Sequence, residues 1–178
     1  LALLEQVGVK PDRIIPSDID ESVLASELPR PHALRIATAK AKALQARPGM
    51  DGCVILSADT VVSVGRRILP KAEDDRTVAT CLKLLSGRRH TVMTAVAVID
   101  TAGKLRTRIS ETKVAFRRLD EREIAEYCKS QEGLGKAGGY AIQGHAAVFV
   151  RFISGSYSNV VGLPLMETFQ MLRACSAA

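Results

Sequence analysis

Residues 53–64 read Cys-Val-Ile-Leu-Ser-Ala-Asp-Thr-Val-Val-Ser-Val, and the break between their two apolar runs decides how the chain is read. Cys53–Leu56 has the composition of a strand buried on both faces, expected to end in Ser57, Ala58, Asp59 and Thr60 before hydrophobicity resumes. An acid at the end of a buried strand costs several kcal/mol unless it is paired, hydrogen-bonded or bound to a cation. Open α/β sheets place their chemistry at the carboxyl ends of strands. Asp59 is therefore the first candidate functional residue, with a turn or cap role as the structural alternative.

Downstream, Val61–Val64 and Arg67–Leu69 flank Gly65-Arg66, where glycine at the first central position fits a type II′ hairpin turn. Leu69-Pro70-Lys71 leads into an expected helix from Glu73 to Leu85, with Val78, Leu82 and Leu85 as its apolar stripe and Ser86-Gly87 as its stop. His90–Ile99 and Lys104–Phe116, rich in Val, Thr and Ile, predict a long hairpin across Asp100–Gly103. Asp120 with Glu123 reads as a capping box for a helix running through Ser130. Five glycines then crowd residues 133–144, a loop that matches neither a Walker A nor a strict Gly-x-Gly-x-x-Gly pattern. A strand over Ala146–Ile153, a polar turn over Ser154–Asn159 and a helix over Val160–Cys175, with Pro164 near its first turn, complete this half.

Upstream, Leu1–Val7 reads as the end of an amphipathic helix stopped by Gly8, and its uncapped start suggests that the chain enters in mid-element. The cluster Asp18-Ile19-Asp20-Glu21 is a solvated loop or a seat for a cation. A helix is expected from His32 to Ala46, before Pro48-Gly49; its Lys40 and Lys42 lie about 200° apart and cannot serve one site together. Interleaved helices and hairpins predict an α/β fold with a mixed sheet, in a single domain over residues 1–178.

Composition narrows the function. The 178 residues are 47% apolar and 25% charged, as in ordinary soluble domains, and no apolar run approaches a membrane span. No signal peptide is visible, and a cytoplasmic location is expected. A net charge of +6 favours an anionic partner, whether phosphate or nucleic acid. Aromatic content of 4% without tryptophan leaves few stacking platforms for single strands, and the basic residues are scattered rather than striped. Cys53, Cys81, Cys128 and Cys175 form no Cys-x-x-Cys pair and His32, His90 and His145 stand alone, so reduced thiols and no zinc site are expected.

Asp59-Thr60, Lys71, Lys136 with Gln143 beyond it, and the acids ending at Glu21 all fall in connections. Carboxylates hold a divalent ion or activate water, lysines neutralise phosphate oxygens, and glycine loops offer backbone N–H groups. These residue types point to metal-assisted chemistry on a nucleotide or phosphate, and nothing finer.

The wording of the chain adds a resemblance. Asp-Ile-Asp-Glu at 18–21, Ala-Asp-Thr-Val-Val at 58–62 and Ile-Leu-Pro-Lys at 68–71 follow in one order. They are joined by Leu-Ser-Gly-Arg-Arg-His at 85–90, Lys-Ala-Gly-Gly-Tyr-Ala-Ile-Gln-Gly at 136–144, Gly-Ser-Tyr-Ser-Asn-Val-Val-Gly-Leu-Pro-Leu at 155–165 and Glu-Thr at 167–168. Together they resemble the Maf family of nucleoside triphosphate pyrophosphatases. That resemblance implies a mixed twisted sheet flanked by helices around a deep cleft, as in inosine triphosphate pyrophosphatases. It implies cleavage between the α- and β-phosphates with a divalent cation, Mg²⁺ or Mn²⁺.

By the same resemblance Asp59 matches the general base or metal-handling acid, and Glu21, Lys40, Lys71 and Gln143 match polar cleft positions. Lys40 is preferred to Lys42 because Ile36-Ala37-Thr38-Ala39-Lys40-Ala41 fits the family's Leu-Ala-x-x-Lys-Ala pattern. Glu21 and Asp59 are the candidate metal ligands, and Lys136 is a candidate phosphate contact. Thr60 and Gln143 resemble members acting on dTTP and UTP, so pyrimidine triphosphates and their modified forms are the expected substrates, with a homodimer as an expected assembly. The family's opening strand and Ser-x-Ser-Pro-Arg-Arg segment, with an arginine expected to contact substrate, do not occur in this sequence. A second class stays open: a non-enzymatic nucleotide- or nucleic-acid-binding regulator, given the family's association with septum formation.

Overall fold

In the computed structural model, which describes residues 1–176, five strands form one sheet in the order β2-β1-β3-β4-β5, and every pairing is antiparallel. The strands are β1 (Ile55–Val64), β2 (Arg67–Ile68), β3 (Arg89–Ile99), β4 (Leu105–Phe116) and β5 (Val150–Ser154). The helices are α1 (Ala2–Gln6), α2 (Pro29–Gln45), α3 (Asp75–Leu85), α4 (Glu121–Lys129), α5 (Tyr157–Val161) and α6 (Leu165–Ser176). Among the described residues no helix is long and apolar enough to cross a membrane.

The two faces of the sheet are covered differently. On one, α2 lays Ala33, Ala37 and Ala41 against Ile55, Val61, Ala95 and Ala97. Small residues on both sides let the helix approach closely. On the other, α3, α4 and the 133–149 segment bury Val62, Val92 and Val114, while α6 covers Val96 and Val98 with Met171 and Cys175. Alternation along β1 therefore sends Ile55, Ser57, Asp59 and Val61 towards α2, and Ala58, Thr60 and Val62 to the opposite face.

Local signals explain most boundaries. Only Gly65 of the Gly65-Arg66 pair has a positive φ, +58°, as a II′ turn requires. The capping box of α4 is present, with Glu123 N donating to Asp120 Oδ1 at 2.8 Å and Asp120 N donating to Glu123 Oε2 at 3.0 Å.

Five expectations are corrected. The helix expected over Val160–Cys175 is divided, because Gly162, with φ +125°, ends α5 at Val161 and α6 starts only at Leu165. The strand expected at Cys53 begins at Ile55 and continues to Val64, so Asp59 lies in mid-strand rather than at a strand end. Cys53 and Val54 are exposed. Residues His145–Phe149 form a 3₁₀ turn, and β5 occupies only the end of the expected strand. Apolar content alone did not separate the two. The polar turn expected at 154–159 gives way at Ser156, which caps α5. Helix α2 begins at Pro29, three residues earlier than expected, because proline is tolerated in a first turn.

Candidate active site

The site grows from an unpaired stretch of sheet edge. β2 pairs with β1 only at Ser63 and Val64, and Leu69 N adds one bond to Val62 O at 2.8 Å. In an antiparallel ladder successive residues alternate the side to which their backbone groups point. Since Val62 points away from β3, so do Thr60 and Ala58, whose N–H and C=O groups have no partner among the described residues. This open edge lines a cleft of about 730 Å³.

The opposite wall is the glycine loop. Lys71 forms a bridge pair with Ala137, Gly138 N donates to Pro70 O at 3.0 Å, and Ala72 N donates to Lys136 O at 3.0 Å. Gly138 has φ +68°, and a Cβ there would lie 2.8 Å from Val62 Cγ1, so glycine is what lets the loop rest against β1. Behind it, Tyr140 OH and His90 Nε2 are 2.8 Å apart, and Tyr127 OH accepts from Ala141 N at 3.0 Å. Burial lowers the His90 pKa to about 4 and pushes the Tyr140 phenol well up. Both are neutral near pH 7.

All seven candidate residues, Glu21, Lys40, Asp59, Thr60, Lys71, Lys136 and Gln143, line this one cleft. Lys40 is its electrostatic centre, donating to Asp59 Oδ1 at 2.9 Å and pairing with Glu21 Oε1 at 2.9 Å. Ala33, Ile36, Ala37, Lys40 and Ala41 follow the spacing of the sheet-facing stripe of α2, so this lysine occupies an inward position and Lys42 an exposed one. Burial opposes the Lys40 charge, but bonds and attraction from Asp59 and Glu21 outweigh it and hold its pKa above the usual lysine range. The Asp59 and Lys40 side chains are only 11% and 17% exposed, against 45% for Glu21. Asp59 Oδ2 has no hydrogen-bond partner among the described residues. Lys71, Lys136 and Gln143 are exposed, and no ion pair engages either lysine among the described residues.

Glu21 rides on a segment without regular structure that is strapped to α2. Arg35 donates to both Glu27 oxygens and to Ser22 O at 2.9 Å, holding the Glu27 carboxyl far below the usual range. His32, which also lines the cleft, lies 2.8 Å from Glu27 through Nδ1.

The donor chemistry suits a hard cation. Glu21 and Asp59 present carboxylate oxygens to a single positive point, and Mg²⁺ is commonly held by one or two carboxylates together with substrate phosphates. Among the described residues no cluster of three or more acidic, His or Cys side chains forms a closed metal cage.

Three features escaped the sequence reading. Thr60 Oγ1 lies 2.9 Å from Thr94 Oγ1, which donates to the Asn159 carbonyl at 3.0 Å. Asn159, placed in a polar turn by sequence, is fully buried. Tyr140 and the Arg35 strap are likewise invisible without a fold.

The Maf family profile, described as Maf-like protein, matches residues 1–175. A dTTP/UTP pyrophosphatase of Rhodospirillum rubrum is 56% identical over 170 residues, covering 96% of this chain and 80% of that protein. Proteins of the same name from Novosphingobium aromaticivorans and Caulobacter vibrioides are each 55% identical. Those matches cover 98% and 97% of this chain, and 86% and 88% of the respective relatives.

Proposed function

The chain belongs to the Maf family, and from that premise we propose that it is a hydrolase that splits nucleoside triphosphates into the monophosphate and pyrophosphate. The substrates that fit best are dTTP, UTP and modified pyrimidine triphosphates, as the names of its relatives and the Thr60–Gln143 pair suggest. The observation that carries the reading is the convergence of Glu21, Lys40, Asp59, Lys71 and Lys136 on one cleft.

In this reading the triphosphate lies along the open edge of β1, between α2 and the glycine loop. Lys71 and Lys136, free of ion pairs among the described residues, offset charge on the phosphate oxygens, an effect worth about 3 kcal/mol per well-placed donor. Asp59 is held through Oδ1 by Lys40, which leaves Oδ2 to take a proton from the water attacking the α-phosphorus. The bond from the α-phosphorus to the bridging oxygen breaks, and pyrophosphate leaves. Glu21 and Asp59 would hold the divalent cation, Mg²⁺ or Mn²⁺, which when bound supplies further neutralisation of phosphate charge. Lys40 keeps these two carboxylates from repelling each other in the free protein. A cytoplasmic location and homodimeric assembly complete the reading; light scattering after gel filtration tests the latter.

The experiment that tests the function is a pyrophosphate-release screen over the common nucleoside triphosphates with Mg²⁺. The expected result is turnover of dTTP and UTP above the purine nucleotides. Release of phosphate without pyrophosphate, or no release at all, would contradict it.

A further inference from the structure

The direction of the Thr60 hydroxyl proton is settled by groups behind the cleft. Thr94 Oγ1 lies 3.0 Å from the Asn159 carbonyl oxygen, which has no proton to give, so the Thr94 proton lies on that line. Thr94 has only this one proton. The 2.9 Å contact between Thr60 Oγ1 and Thr94 Oγ1 therefore requires Thr60 to be the donor. What Thr60 has left to offer a ligand is lone pairs.

The frame behind this relay is stiff. Thr94 and Asn159 are both fully buried. Asn159 Nδ2 donates to Val92 O at 3.1 Å and to Thr112 Oγ1 at 2.9 Å, and Thr112 Oγ1 donates to Ser156 O at 3.1 Å. Reversing the relay would set the Thr94 lone pairs against the Asn159 carbonyl. Gln143 is the opposite case: exposed, and without a hydrogen bond among the described residues. Its amide is free to rotate, exchanging donor for acceptor, so it pairs with uracil and cytosine alike.

We propose that Thr94 is a positioning residue which, with the Asn159 carbonyl, holds the Thr60 hydroxyl as an acceptor only and so selects pyrimidines carrying a proton on N3. Uracil and thymine donate that N3–H. Cytosine presents a lone pair at the same place, and lone pair facing lone pair is the repulsive element that discrimination needs. The proposal rests on the pyrophosphatase reading and deepens it.

The test measures kcat/KM for UTP, CTP and N3-methyl-UTP by pyrophosphate release, on wild type, Thr94→Val and Thr94→Ser, with folding followed by circular dichroism. Wild type is expected to favour UTP over both other substrates by at least ~10-fold, since a site built to take a proton rejects analogues that lack one. Thr94→Val keeps the shape and frees the Thr60 proton. It is expected to lower the UTP:CTP ratio at least ~5-fold, chiefly by improving CTP, whereas Thr94→Ser retains the hydroxyl and the wild-type ratio. An unchanged ratio in folded Thr94→Val overturns the proposal. So does a wild type that accepts CTP or N3-methyl-UTP as readily as UTP, a comparison that decides the matter if Thr94→Val does not fold. Both results leave the pyrophosphatase reading standing. Absence of pyrophosphate from every nucleotide overturns that reading and the proposal together.

Discussion

Asp59 and Thr60 are neighbours in β1, yet their surroundings share almost nothing. Asp59 faces α2, where two carboxylates share one ammonium and water reaches the Glu21 end. Thr60 faces α5, where its hydroxyl feeds a buried neutral relay through Thr94 to Asn159. Strand alternation produces the split, and the open edge lets one cleft reach round to both faces. The charged face is suited to moving a proton and neutralising phosphate. The neutral face, with its hydrogen-bond directions set, is suited to reading a base. One dipeptide thus presents a carboxylate to one face of the sheet and a neutral hydroxyl to the other.

The comparison breaks most forcefully at Asp59. Asp59→Asn is expected to lower kcat by ~10²–10⁴-fold, the range for losing a general base, in a protein that remains folded by circular dichroism. A mutant with near wild-type turnover of dTTP would remove the chemistry from that face.

Acid attacks the other face. His90 shares the side of the sheet occupied by Thr60, and its folded pKa of about 4 lies below the ordinary 6.5. The unfolded chain therefore binds the extra proton between these values, so stability is full above about pH 6.5 and falls as pH drops towards 4, by about 3 kcal/mol. Urea unfolding at pH 7 and pH 4.5 should show that loss, and His90→Phe should remove most of its pH dependence while losing the bond to Tyr140. A slope that persists in the variant would place the titrating group elsewhere.

Lys40→Met leaves Asp59 and Glu21 facing each other without their shared cation. A buried pair broken on one side loses more than this, but the exposure of Glu21 reduces the expected destabilisation to about 2 kcal/mol in urea titrations at pH 7. The smallest effect is expected for Thr60→Val combined with Gln143→Ala. It should change the dTTP:GTP ratio of kcat/KM by about 10-fold with a far smaller change in turnover of the preferred substrate. An unchanged ratio would take base choice away from this pair.

Legibility in the sequence followed the range of the interactions. The Asp120–Glu123 capping box, the Gly65 turn and the stripe of α3 are signals within a few residues, and they read correctly. The seven cleft residues were found through ordered motifs, although nothing local showed that Lys71 and Ala137 meet as a bridge pair, which brings Lys136 to the same cleft. Asp59 was placed at a strand end because the polar break after Leu56 looks like a terminus. It is tolerated in mid-strand because α2 supplies a lysine and the edge beside it is open, both consequences of contacts distant in sequence. Thr94 sits in a run of β-formers and Asn159 in a Ser-rich turn, so their burial and shared proton appear only once β3 and α5 are packed together.

The division of labour across β1 is tested most directly by the dTTP:GTP ratio of kcat/KM in Asp59→Asn, measured by pyrophosphate release beside wild type. Both values are expected to fall by the same factor and the ratio to stay as in wild type, as it must if base choice belongs to the opposite face. A ratio that collapses with the loss of this carboxylate would contradict it and make Asp59 part of recognition.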